Sequence, residues 1–548
     1  MSLFRCLLVA GSVAALIALS PSYGADSNPV VNAPAGTVEG LSQGTLHVFL
    51  GIPYAEPPVG SMRWKAPVPK AHWTGVFKAT DFGPACYQPQ GPITNVYSEE
   101  PMPLSEDCLS LNIWAPADAR GAPVLVWIHG GALLGGSSRE PVYDGSKLAA
   151  RGIVVVSINY RLGMFGFLAL PELSKESPLG ISGNYGVLDE IAALKWVQSN
   201  IAAFGGDPSE VTIDGQSAGG LSAIYLMTSP LARGLFAKAI AQSSYMVSMP
   251  ALKVEQDGMP SSEDTGVKLM DKLHASNLAD LRAMPAEKLA LAAPMSGYIP
   301  WATIDGHVFT GQMVDIFDKG EQAHVPLMAG FTQGEIRTLR VLAPPVPASA
   351  ADYEKTIRER YLDLADDFLK LYPSSNMQES IWQTTRDGLY SWTAVRLAKK
   401  QTAIGEPAYL YMFDHPYPAA DKAGLHAFHA SELPYLFGAF DKTPPLWPKI
   451  EATQDELKFS AAMTDYWANF VRTGKPVAAT EPDWPAYDTT EAYMHFAATP
   501  EPSTHVLPGM YKLNEEVVCR REANGHVPWG WNVGLASPPL PAQSPQCK

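Results

Sequence analysis

Cysteine is scarce in this sequence, with five in 548 residues, and so is positive charge. Only 40 lysines and arginines stand against 55 aspartates and glutamates, a formal net charge of −15. Such a balance repels phosphate backbones and no basic run offsets it, so a nucleic-acid partner is excluded. No Cys-x-x-Cys or His-Glu-x-x-His spacing occurs, which leaves a metal site, and with it a metal cofactor, without support. No period of 20–50 residues repeats, which argues against a solenoid or propeller. Past the first two dozen residues no stretch approaches about 18 uninterrupted apolar residues, so no stable membrane insertion is expected. What is present is 46% hydrophobic and 17% charged residues, the composition of a globular chain with an acidic, soluble surface.

Residues 1–24 read as a targeting segment. Arg5 supplies the positive end, Cys6 to Leu19 is apolar apart from Gly11 and Ser12, and Ser22-Tyr23-Gly24 offers small residues for cleavage before Ala25. The expectation is a secreted or periplasmic protein whose mature chain is one domain, 25–548. Removing Cys6 leaves Cys86, Cys108, Cys519 and Cys547, which in an oxidising compartment are disulfide candidates with three possible pairings. Pairing nearest neighbours, Cys86–Cys108 and Cys519–Cys547, closes short loops and contributes roughly 3 kcal/mol each.

Val124 to His129 and Ile153 to Tyr160 are nearly continuous apolar, β-branched runs, the pattern of strands buried on both faces. Between Tyr185 and Ile201 the apolar residues fall at helical spacing; Val211-Thr212-Ile213 is a short strand and Ala218 to Met227 a helix. Val325 to Phe331 and Ala408 to Phe413 are later strands. This alternation predicts a central, mostly parallel sheet flanked by helices. Residues 250–300 and 345–400 are expected as helical insertions forming a cap or lid, with proline-rich loops at 343–347 and 538–545.

Gly215-Gln216-Ser217-Ala218-Gly219 lies between a strand and a helix, the setting in which a strained turn lifts a serine nucleophile above the sheet. Attack by Ser217 creates an oxyanion that needs backbone N–H groups aimed at it. His129-Gly130-Gly131-Ala132 follows a buried strand and can supply them, Gly131 and Ala132 being preferred, joined by Ala218.

Phe204-Gly205-Gly206-Asp207-Pro208 leading to Ser217, with Glu106-Asp107-Cys108-Leu109 and Leu111-Asn112-Ile113-Trp114, resembles the two signatures of type-B carboxylesterases. Gly51 to Ala55, Asn159-Tyr160-Arg161 and Gly183 to Gly186 add matches in the family's order. The resemblance implies an α/β-hydrolase fold, an active-site gorge under cap insertions, and no cofactor. It also implies that the loop between Cys86 and Cys108 walls the pocket. By the same resemblance His429, in His429-Ala430-Ser431-Glu432 before Phe437-Gly438, is the catalytic base, with His426 as its rival. Glu335, in Gly330-Phe331-Thr332-Gln333-Gly334-Glu335, is the acid that orients it, and Ser243 a serine near the histidine.

Three positions depart from the family pattern: Gln216 replaces a glutamate, Ala132 a glycine, and Ser110 an aromatic residue or threonine. The expected function is therefore serine carboxylic-ester hydrolysis through an acyl-enzyme, on a small or medium organic ester partner. Leu133 and Leu134 are expected to line the acyl site. Alternatives within the resemblance are a lipase, a xenobiotic or mycotoxin ester hydrolase (tricarballylate esters, for example), and a non-catalytic binding domain. The sequence leaves the oligomeric state open.

Overall fold

A computed structural model describes residues 28–547; the expected targeting segment lies outside the described residues. An eleven-stranded sheet dominates, built from β1 (Leu41–Gln43), β2 (Leu46–Pro53), β3 (Ser110–Pro116), β4 (Ala122–Ile128), β5 (Val154–Ile158), β6 (Gly206–Gln216), β7 (Lys238–Gln242), β8 (Leu327–Thr332), β9 (Ala408–Phe413), β10 (Ala492–Phe496) and β11 (Pro500–Thr504). The order across it is β11-β10-β9-β8-β7-β6-β4-β5-β3-β2-β1. The strands from β4 to β10 are parallel to one another, and β1 to β3 and β11 add antiparallel edges.

Period-two alternation puts the two halves of the core on opposite faces. In β4, Val124, Val126 and Ile128 join one apolar cluster, with α1 (Tyr185–Asn200) and α2 (Ala218–Thr228). Leu125 and Trp127 join the other, beneath a helix at Gln454–Thr473. The register aligns Ile128 with Gly215 and Gln216 with Gln242, so neighbouring strands release their chains at one level. The crevice outside these carboxyl ends is where open parallel sheets hold their sites.

β6 is longer than the three residues its apolar run shows. It begins at Gly206, beside β4, and its pairing is interrupted around Pro208, which has no N–H to give. The other four strands expected in the parallel part appear where the sequence puts them. Residues 250–300 fold into short helices, Ser262–Lys272, Leu278–Ala283 and Ala286–Met295, that pack with Trp64, Phe165 and Tyr185 into a separate apolar cluster.

Disulfides join Cys86 to Cys108 and Cys519 to Cys547. The motifs that carried the family resemblance hold the frame around the first of them. Arg161 meets Asp189 in a buried two-pronged pair at 2.7 Å, and Arg63 grips Glu106 at 2.6 Å. Asn159 donates to the carbonyls of Pro84 and Cys108, and the Tyr54 hydroxyl to the carbonyl of Asn159. Among the described residues no helix is long and apolar enough to cross a membrane.

Candidate active site

Ser217 stands between β6 and α2 with φ 59° and ψ −121°, a conformation costing a non-glycine residue about 1–3 kcal/mol. Surrounding contacts impose it. The Ser217 N–H donates to Gln242 O at 2.9 Å, and a Cβ on Gly219 would lie 2.0 Å from Ile128 O, so only glycine lets the helix start so near β4. The serine opens into a cavity of about 670 Å³ that His429 also lines.

The loop after β4 lies against this turn. A Cβ on Gly130 would sit 3.2 Å from Ser217 Cβ and 2.7 Å from Gln216 O; one on Gly131 would collide with Gly135 O at 2.2 Å. The N–H groups of Leu134 and Gly135 are spent on Gly131 O, and that of Gly136 on Gln88 Oε1. Those of Gly131, Ala132 and Ala218 have no protein acceptor among the described residues. Ala132 holds φ 57°, so its methyl is carried in a left-handed backbone that glycine would adopt without strain.

His129 fixes the direction of one of these donors. Its Nδ1–H donates to Gly130 O at 2.9 Å, and its ring stacks on Tyr160 at 4.6 Å. Burial lowers its pKa to about 4, so the ring stays neutral. Because C=O and N–H oppose each other across a trans peptide, holding Gly130 O on one side turns the Gly131 N–H to the other.

Glu335 follows β8 and is fully buried. Its Oε1 accepts from Thr332 N at 2.8 Å, and its Oε2 pairs with His429 Nδ1. The two loops are laced together by Gly334 N donating to Ala427 O at 2.7 Å. Two residues outside any sequence motif hold the histidine. The Tyr97 hydroxyl donates to His429 O at 2.8 Å, and the Tyr390 ring lies 5.3 Å from the imidazole. Tyr390 sits in a π-helical turn, Asp387–Ser391, pinned where Asp387 accepts from Arg386, Tyr372 and Ser391. Arg386 also donates to Gln333 O, tying that turn to the Glu335 loop.

Ser217 Oγ makes no hydrogen bond to His429 among the described residues. The imidazole Nε2 instead faces the Gln216 carboxamide nitrogen at 3.3 Å. His426 is half exposed and pairs with Asp421, outside the cavity wall. Ser243 is buried with φ 44° and its hydroxyl has no hydrogen-bond partner among the described residues. Ser110 is buried against Gly83, where a Cβ would lie 2.5 Å from its hydroxyl.

The cavity wall differs from expectation in two respects. Leu133 is buried in the main core and Leu134 faces a separate small cleft beside Phe165, because Gly163 N captures Leu133 O and turns the segment inward. The helices of 250–300 contribute nothing to the wall. Apolar surface comes from Tyr97, Tyr245, Tyr390, Leu342 and Trp531, and the segment between Cys86 and Cys108 forms one side. Three acids, Glu99, Glu100 and Glu140, are in the lining, with no lysine or arginine. Burial, aided by mutual repulsion of Glu99 and Glu140, raises the Glu140 pKa to about 8; burial with Glu100 nearby raises that of Glu99 to about 7. None of His, Cys, Asp and Glu groups in the described residues forms a cluster able to hold a metal ion.

A sequence model of the carboxylesterase family matches residues 27–512. The fumonisin B1 esterase of Sphingopyxis macrogoltabida is 34% identical over 488 residues, covering 86% of this chain and 87% of that protein. The para-nitrobenzyl esterase of Bacillus subtilis is 37% identical over 472 residues, covering 84% and 93%. Among solved structures, a PNB esterase superposes with a TM-score of 0.75 at 32% identity, covering 89% of this chain and 99% of that one. A carboxylesterase of Geobacillus stearothermophilus gives 0.70 at 31% identity, covering 90% and 99%.

Proposed function

The chain belongs to the carboxylesterase family and is a carboxylic ester hydrolase of the α/β-hydrolase fold, and on that premise we propose that Ser217, His429 and Glu335 are its nucleophile, base and orienting acid. One juxtaposition carries the reading: a buried carboxylate paired with an imidazole that opens onto the same cavity as a serine in a strained turn.

A carboxylate only accepts hydrogen bonds, so Glu335 fixes the proton of neutral His429 on Nδ1 and leaves the Nε2 lone pair facing the cavity. Ser217 Oγ attacks the ester carbonyl carbon as its proton passes to Nε2, and the carbonyl π pair moves onto oxygen. The N–H groups of Gly131, Ala132 and Ala218 take up that charge, with Gly130 keeping the loop close. The intermediate collapses, the C–O bond to the alcohol breaks, and His429 protonates the departing oxygen. Water, losing a proton to His429, then attacks the acyl-serine and releases the acid. Glu335 stabilises each imidazolium in turn.

The wall favours a neutral, compact ester. Aromatic and aliphatic side chains supply apolar contact, in keeping with a relative named for para-nitrobenzyl esters. Tricarballylate esters, suggested by the fumonisin-esterase relative, carry carboxylates into a wall that holds three acids and no cation. Export and signal cleavage near Gly24/Ala25 belong to the same reading, supported by two disulfides.

Release of p-nitrophenol from its acetate and butyrate esters by the protein, beside Ser217→Ala, tests the assignment. Rapid release abolished by the substitution is expected; equal release by both proteins overturns it. A chain-length series separates a lipase, whose rate would climb with long acyl chains at an interface.

A further inference from the structure

Gln216 is the last residue of β6 and its side chain is buried beside His429. The Nδ1 atom of His429 is committed to Glu335, so Nε2 presents a lone pair, and a carboxamide nitrogen 3.3 Å away can only donate to it. The opposite edge of the carboxamide faces Gly130, where a Cβ would lie 3.4 Å from Gln216 Oε1. Strand register with Gln242 and this close packing leave the side chain little room elsewhere.

Resting on the triad reading above, we propose that Gln216 is a positioning residue: it occupies the His429 nitrogen that must take the Ser217 proton, keeps it unprotonated in the resting enzyme, and yields it as the serine turns in. This accounts for the missing hydrogen bond between Ser217 Oγ and His429. A donor aimed at a lone pair opposes protonation of that atom, since it bonds the neutral form only. A carboxylate in the same space would do the reverse and hold the imidazolium.

The other groups facing the imidazole do not change with residue 216. They are the Glu335 carboxylate on Nδ1, the Tyr390 ring at 5.3 Å, and the Tyr97 ring edge at 6.3 Å. Glu432, three residues along, is buried, and burial with the Glu335 and Asp214 carboxylates nearby holds its own pKa well above the usual carboxylate range.

The test is kcat/KM for p-nitrophenyl acetate against pH, which reports the base of the free enzyme, in the wild type, Gln216→Glu and Gln216→Met. The acid limb of Gln216→Glu is expected about one pH unit higher, a roughly tenfold gain in proton affinity. Gln216→Met, which removes the donor without adding charge, moves the same way by less, and it carries the test should the glutamate variant not fold. A limb that stays in place in both folded variants, whatever the plateau rate, overturns the proposal and leaves Gln216 a packing residue. Labelling of the wild type with a fluorophosphonate separates the two levels. A wild type unlabelled at Ser217 overturns the triad reading, whereas a labelled one with an immobile acid limb overturns only the role of Gln216.

Discussion

Replacing Glu335 by glutamine tests the orientation of His429 through a single atom. In the native protein Oε1 accepts the Thr332 N–H at 2.8 Å and Oε2 takes the Nδ1 proton of His429. A carboxamide has one oxygen, and Thr332 N–H claims it, because an NH2 turned toward that donor would bury two donors against each other. The amide nitrogen then faces Nδ1 and donates to it. The imidazole must carry its proton on Nε2, where it cannot accept the proton of Ser217. Loss of the correct tautomer costs on the order of 10⁴ in kcat, about 5 kcal/mol of barrier. Glu335 is fully buried, so water cannot step in for the lost acceptor. Hydrolysis of p-nitrophenyl butyrate by Glu335→Gln should therefore fall about 10⁴-fold in kcat, with KM little changed and circular dichroism native. A kcat within tenfold of wild type would refute the tautomer reasoning and remove Glu335 from the mechanism.

The oxyanion loop gives a second prediction. A Cβ on Gly131 meets Gly135 O at 2.2 Å in a backbone at φ 111°, so Gly131→Ala must shift the loop. It should cost roughly 10²–10³ in kcat and about 1–3 kcal/mol of stability; steady-state kinetics on the folded variant beside thermal melting decides it. The cavity acids predict a pH effect on selectivity. Glu99 and Glu140 ionise near 7 and 8, so hydrolysis of a carboxylate-bearing ester relative to its neutral analogue should decline from pH 6 to 9. Glu140→Gln should weaken that decline in a competition assay; an unchanged ratio would place the acids outside the substrate's reach. Stability supplies the fourth. Desolvation raises Asp214 and Glu190, both fully buried, to about 8. An unfolded carboxyl loses its proton near pH 4, so between about 4 and 8 the native chain binds protons that the unfolded chain does not. Their contribution makes stability fall as pH rises through that window. The melting temperature should be lower at pH 8 than at pH 6, and Asp214→Asn should flatten the difference; a melting temperature equal in the two proteins' slopes would contradict the role of Asp214.

Five of the seven parallel strands and the nucleophile turn were legible because their signals are local: nearly continuous apolar runs, then glycines two residues either side of a serine. The strands β7 and β10, short and broken by Lys238, Gln242 and His495, were not read. Glu335 and His429 have no such local signal among 55 acids and twelve histidines, and only the family pattern singled them out. The outermost strands were missed because β1 and β11 are short and largely exposed, with no apolar run. The cavity wall was read wrongly at Leu133 and Leu134, since proximity to the oxyanion loop in sequence does not say which way a turn points its side chains. Tyr97, Tyr390 and Trp531 come from segments hundreds of residues apart and carry no motif, so only the folded chain gathers them. His129 was visible as part of the glycine-rich motif, yet its hold on Gly130 O depends on a ring stacked against Tyr160.

The central claim is a covalent bond at one atom. Mixing the protein with a p-nitrophenyl ester, quenching in acid within the first turnover and mapping the peptides by mass would find it. The account predicts an acyl group on the peptide containing Ser217, absent from Ser217→Ala and accumulating when deacylation is slowed. An acyl group on another residue, or hydrolysis that persists undiminished in Ser217→Ala, would contradict it.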